Sequence, residues 1–189
     1  PKCDCMLWAV YSDGEGNIHQ TDVPSGEYVL ANAFWQIALK GGVENEMIST
    51  TSATIEESAN GEQILVTGAQ TSMMYYLDFQ QDNTVNIWHV GSQTWIGHEG
   101  THLMDNDEKW QYKVLEDGSY CFYYNDNGQR RMLCLGYGKD GSSNQLVAYV
   151  NRANVDVMTG KGFLLFATGE VEMPTFTTWP FGKLNGVED

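Results

Sequence analysis

His98-Glu99-Gly100-Thr101-His102 is the stretch whose residue types and spacing point most directly to chemistry. On a helix, histidines four apart share one face and can hold a zinc ion, while the glutamate between them acts as general base toward a metal-bound water. Asp105 and Glu108 are the candidate further ligands. The local context opposes a helix, because Gly97 and Gly100 each weaken one by about 1 kcal/mol relative to alanine. A turn between strands is the expected setting. In an extended strand His98, Gly100 and His102 would face one side, about 6.6 to 7 Å apart per two residues, which leaves metal binding without catalysis as a reading of His98, Glu99 and His102. His19 and His89 could join them only through the fold.

Two further groups carry hard oxygen ligands suited to calcium. Asp13, Glu15 and Asn17 alternate across a glycine-rich turn, and Asp105, Asn106, Asp107 and Glu108 cluster after the histidines. Neither reproduces a full twelve-residue calcium loop, so both read first as solvated turns. No cofactor is expected, with calcium or zinc as the metals to consider. Gly136-Tyr137-Gly138-Lys139-Asp140-Gly141 has the spacing of a dinucleotide fingerprint but no helix after it, and neither a G-x-S-x-G nor a Walker-type loop occurs. An enzyme is therefore not the expected outcome.

Aromatic residues suggest binding instead. The chain has 6 Trp, 10 Tyr and 7 Phe, more than a core of this size requires. Trp and Tyr combine an apolar body with a polar handle, as needed to line a cavity or stack on a sugar ring. Trp35, Tyr75, Trp88, Trp95, Trp110 and Tyr124 are the candidate ligand contacts, with Trp8 and Tyr76 beside them. Tyr75 and Tyr76 cannot face the same side of one strand, so one is expected inside and the other exposed.

The elements that must position these residues are strands. Trp110, Tyr112 and Val114 alternate with polar neighbours, as do Tyr120, Phe122 and Tyr124, and Met132 to Leu135 follow a second reversal. Asn127-Gly128 supplies the positive φ angles of a tight hairpin. Similar runs bounded by Gly, Asn and Asp recur from Met6 onward, and Phe34 to Leu39 reads as a strand ended by Gly41-Gly42. Phe163 to Ala167 is continuously apolar, which predicts a strand covered on both sides. The tail, residues 169–189, carries Pro174 and Pro180 and is expected to form an irregular strap over a single domain spanning residues 1–189.

At 189 residues the chain can bury roughly 70% of its unfolded surface in one core. Its 10 Lys and Arg stand against 25 Asp and Glu, a net charge of -15. That field repels phosphate backbones and anionic bilayers, which argues against nucleic-acid and membrane partners. Four cysteines fall as two pairs, Cys3 with Cys5 and Cys121 with Cys134, the latter on either side of the Asn127-Gly128 turn. A cross-strand disulfide or a buried thiol pair fits that placement, and three complete pairings of the four are possible. The even count and sparse lysine favour an extracellular, secreted protein.

The expected architecture is all-β, a single antiparallel β-barrel of about eight to ten strands, with a β-trefoil or β-sandwich as the alternative. Phe34-Trp35-Gln36-Ile37-Ala38 resembles the aromatic segment of the first strand in lipocalin and related calycin barrels. It departs from that family in having Ala33 where glycine stands two before the tryptophan, and in lacking an amphipathic helix near the C-terminus. The resemblance implies sequestration of a small, mostly apolar molecule by a secreted, non-enzymatic protein. His98 to His102 separately resembles the zinc metalloprotease signature over those five positions alone, implying a zinc hydrolase. The remaining alternatives are a lectin-like module that binds a glycan and a structural or interaction protein without a pocket. The oligomeric state stays open.

Overall fold

The computed structural model of the chain describes residues 3–7, 10–12, 18–20, 25–57, 64–115, 119–151 and 162–167. In chain order the strands are β1 (Cys3–Leu7), β2 (Val10–Ser12), β3 (Ile18–Gln20), β4 (Gly26–Asn32), β5 (Ile37–Glu44), β6 (Met47–Ser52), β7 (Thr54–Glu57), β8 (Ile64–Ala69) and β9 (Met74–Phe79). They continue with β10 (Thr84–His89), β11 (Thr94–Trp95), β12 (Gly97–Glu99), β13 (His102–Met104), β14 (Trp110–Val114), β15 (Tyr120–Asp126), β16 (Gln129–Gly136), β17 (Val147–Asn151) and β18 (Leu164–Ala167). Two 3₁₀ turns, Thr71–Met73 and Lys139–Gly141, interrupt them. The Asp13, Glu15, Asn17 turn, Trp8 and the 169–189 strap lie outside the described residues.

The main sheet has 14 strands, and its pairings run in a ring: β4 to β9, β10, β14, β15, β16, β17, β6, β5 and back to β4. This corrects the expected barrel of eight to ten strands. A closed barrel gives every strand two neighbours and has no edges, whereas here the sheet branches. Along one edge of β4, Gly26 to Val29 face β9 and Ala31 to Asn32 face β5, while the other edge carries β18. β10 likewise holds β9 on one side and both β14 and β11 on the other. From β18 the sheet runs on through β1 and β8 to β7, and among the described strands β7 and β11 are its edges.

Branching at β4 explains why its sequence does not alternate: Tyr28, Val29, Leu30, Ala31 and Asn32 are all buried. Tyr28 and Leu30 enter one core with Tyr75, Trp110, Tyr120, Phe122 and Phe163, which fill the inside of the ring. Val29 and Ala31 point the other way, into a second core with Val66, Met73, Leu164 and Phe166. Both faces of β18 are covered, as its unbroken apolar run predicts. Each such side chain contributes about 1.5–3 kcal/mol on burial, so two cores share one central strand. Asn32 ends β4 by bonding outward twice: its amide donates to the Gly162 carbonyl at 2.9 Å, and its Oδ1 accepts from the Trp35 N–H at 3.1 Å. That bond folds Ala33 to Gln36 into a turn, so the Phe34–Ala38 segment is not the opening of a strand; β5 starts at Ile37.

The three-stranded reading of residues 108–137 holds, as β14, β15 and β16. Asp126 opposes Gln129, and Asn127 and Gly128 take φ values of 50° and 81°. The expected disulfide does not form there: Cys121 and Cys134 are buried, unbridged thiols. The β15–β16 ladder runs as far as Tyr123 opposite Met132, after which the edge of β15 at Tyr120 is taken by Phe163. Both cysteines therefore sit where the two strands part. Burial pushes the Cys121 thiol up to about 11, leaving too little thiolate at neutral pH for exchange chemistry. The side chains of Cys3 and Cys5 lie outside the described part of the structure.

Candidate functional site

His98 to His102 forms a hairpin, not a helix. Glu99 opposes His102 across β12–β13, and Gly100, at φ 58°, takes the first turn position, where a two-residue hairpin of this hand needs glycine. Strand alternation sends His98 and Glu99 to opposite faces. His98 goes inward, stacked on Tyr124 at 3.6 Å and 5° and edge-on to Trp110 at 4.8 Å. Its Nε2 donates to the Lys109 carbonyl at 2.9 Å. Burial holds its pKa below the ordinary 6.5, opposed by that hydrogen bond and by the Glu108 and Asp126 carboxylates. Trp110 and Tyr124 are tied in turn, through Nε1 to the Ile96 carbonyl and through the hydroxyl to the Gly100 carbonyl. His98 is thus a packing and hydrogen-bonding residue.

His102 faces outward with its nitrogens 3.9 Å from Glu46 Oε1 and 3.9 Å from Glu99 Oε2. Among the described residues no three His, Cys, Asp or Glu side chains gather to hold a metal. The metal site expected at His98, Glu99 and His102 is therefore corrected, because the hairpin parts its two imidazoles. The later acidic group is used locally too: Asp105 Oδ1 accepts the Trp95 N–H, and Asn106 Oδ1 accepts from His98 and Glu108.

Beside His102 lies a groove of about 440 Å³ lined by Asn45, Glu46, Met47, Lys139, Ser142 and Tyr149. Glu46 occupies the second position of the β5–β6 turn at φ 64°, a left-handed conformation costing roughly 1 kcal/mol or more for a residue with a Cβ. Its carboxylate lies 3.9 Å from Lys139 Nζ, which also donates to the Thr101 carbonyl. The Tyr149 hydroxyl is pushed up to about 12 by burial and by the Cys134 thiol it meets.

The six aromatic candidates divide. Tyr75, Trp110 and Tyr124 are buried in the ring core, with the Tyr75 hydroxyl donating to the Gly41 carbonyl at 2.6 Å. Trp35 is half-buried in its turn, edge-on to an exposed Phe34 at 5.0 Å. Trp88 and Trp95 are different. Glu27, Tyr76, Trp88 and Trp95 are direct cross-strand partners on β4, β9, β10 and β11. Opposed residues share a face, so these four form one row, with Tyr76 39% exposed. Asp78 and Asn86, paired two residues along, lie on the same face, and the Asn86 amide donates to the Asp107 carbonyl at 2.7 Å. Trp88 and Trp95 meet at 4.8 Å and 70°. The expectation that Tyr75 and Tyr76 point opposite ways holds.

The adjacent row, Tyr28, Tyr75, His89 and Thr94, faces the other side. There the β10–β11 loop contains a pair that motif reading passed over. His89 is buried, with Nε2 2.8 Å from the Ser72 carbonyl oxygen and Nδ1 2.6 Å from Ser92 Oγ. Its only sequence trace is a serine three residues after a histidine within a glycine-containing hairpin loop.

No helix among the described residues is long and apolar enough to cross a membrane. No protein-family model matches the chain, and no curated protein matches it either.

Proposed function

We propose that the protein is a carbohydrate-binding module that holds a neutral glycan on the outer face of β9, β10 and β11. The observation supporting this is the cross-strand row Tyr76, Trp88 and Trp95, flanked on the same face by the exposed carboxylates of Glu27 and Asp78. Aromatic faces cover the C–H side of a sugar ring, while carboxylates and amides beside them take its hydroxyls. The 70° angle between the indoles suits successive rings held at different tilts, as in a soluble twisted chain, rather than a flat crystalline surface. A net charge of -15 weighs against acidic polysaccharides. An enclosed apolar ligand has less support, since Tyr75, Trp110 and Tyr124 are committed to core packing.

Calorimetric titration with soluble neutral oligosaccharides of several linkages tests this. Binding by at least one of them, weakened about tenfold or more in Trp88→Ala, as for an aromatic anchor, is the expected result. Binding that survives both Trp88→Ala and Trp95→Ala, or no binding across the panel, would overturn the assignment; saturable uptake of a fatty acid instead would restore the enclosed-ligand reading.

A further inference from the structure

A separate observation, independent of the glycan face, concerns the loop between β10 and β11. The Ser72 carbonyl can only accept, so the 2.8 Å contact fixes the proton of His89 on Nε2. The backbone N–H of Ser92 points at Nδ1 from 3.1 Å, which requires a lone pair there. Nδ1 is therefore the unprotonated nitrogen, and Ser92 Oγ, 2.6 Å away, donates its proton to it. With that proton committed, Thr94 Oγ1, 2.6 Å from Ser92 Oγ, donates to the serine oxygen in turn. A base oriented by a third group and bonded to an exposed hydroxyl is the arrangement that activates a serine.

The loop is shaped around this pair. A Cβ on Gly42 of β5 would fall 2.6 Å from Thr94 Oγ1 and 2.9 Å from Ser92 Oγ, and one on Gly91 would fall 3.3 Å from His89 Cε1. Ser92 itself is exposed while His89 is buried beneath it, in ring contact with Tyr75 at 4.9 Å.

The geometry points to Ser92 as an acyl-accepting nucleophile with His89 as its general base, acting on carboxylic esters. Ser92 Oγ bonds to the acyl carbon as its proton passes to His89 Nδ1. Collapse breaks the bond between acyl carbon and leaving oxygen, which takes the proton from Nδ1 and departs as the alcohol. Water then attacks the acyl-serine with the same base, freeing the carboxylic acid and restoring Ser92.

The experiment is labelling of the intact chain with a fluorophosphonate, which phosphonylates activated serines and displaces fluoride, followed by intact-mass and peptide mapping. One adduct on Ser92 is expected, forming on the order of 100-fold faster than on the urea-unfolded chain, the range of general-base assistance. It should be absent in Ser92→Ala, slowed in Gly42→Ala, and unchanged in Ser49→Ala on the exposed part of β6. Because Gly42→Ala retains both His89 and Ser92 in the sequence while crowding the Ser92 and Thr94 hydroxyls, it separates loss of the hydroxyl geometry from loss of the fold, checked by circular dichroism. Labelling of Ser92 no faster than in the unfolded chain, or an adduct that persists in Ser92→Ala, would overturn the assignment.

Discussion

Two histidine-bearing hairpins follow one another in the chain, and they use the same side chain in opposite ways. In β12–β13, His98 is stacked on Tyr124, edge-on to Trp110 and bonded to the Lys109 carbonyl. In β10–β11, His89 is buried more fully and is also bonded to a carbonyl, but its second nitrogen receives an exposed serine hydroxyl. The difference lies in what each turn offers. Gly100-Thr101 is a two-residue turn that only reverses the chain, whereas the four residues Val90 to Gln93 are long enough to fold Ser92 back over the ring.

The sharpest way to break the role of the β12–β13 hairpin is Trp110→Ala, which empties a fully buried site and removes the bond to the Ile96 carbonyl. Urea denaturation should show a loss of about 3–5 kcal/mol. His98→Phe keeps the stack but loses the hydrogen bond, an expected loss of roughly 1 kcal/mol at pH 7.5. The variant should also change the pH profile. Burial lowers the folded-state pKa of His98 below 6.5, so as pH falls below 6.5 the unfolded chain takes up a proton before the folded one does. Its contribution is complete above that value and is lost as pH falls through the folded pKa. Wild type should therefore lose more stability than His98→Phe between pH 7.5 and 5.

Smaller effects separate groove from scaffold. Glu46→Gly relieves the left-handed turn and should raise stability by up to about 1 kcal/mol, read as a higher melting temperature. Glu99 is exposed and 3.9 Å from His102, so Glu99→Gln should change stability by less than about 0.5 kcal/mol. A larger loss would mean that the outer face of β12–β13 bears more of the fold than its geometry indicates.

Local chemistry was legible in the sequence and long-range pairing was not. Asn127-Gly128 announces its hairpin because few residues accept two positive φ angles, and Tyr120, Phe122 and Tyr124 announce β15 by alternation. Asn45-Glu46 makes the same kind of turn without a glycine and gives no such signal. Phe34 and Trp35 look like strand residues, but a side chain three positions earlier bends them into a turn. The barrel expectation failed at β4, because hydrophobic pattern shows that both faces are covered without showing that three strands share its two edges. His98, Glu99 and His102 stood out because their spacing matches a helical motif, which the glycine turn removes. His89 and Ser92 did not, since nothing in a loop's spacing reveals which way a hydroxyl folds. The aromatic list was half informative: composition marked the tryptophans, and only register separated the half-buried outer row from the core.

The position of β4 also has a consequence in time. Its outer-core residues Val29 and Ala31 wait for Leu164 and Phe166 on β18, the last strand described. At roughly 5–20 residues per second of synthesis, β4 spends on the order of ten seconds with one edge unpaired and its outer face covered only by earlier members of that core such as Val66 and Met73. Until β18 emerges, that edge of β4 is an unpaired strand edge, open to pairing with another chain.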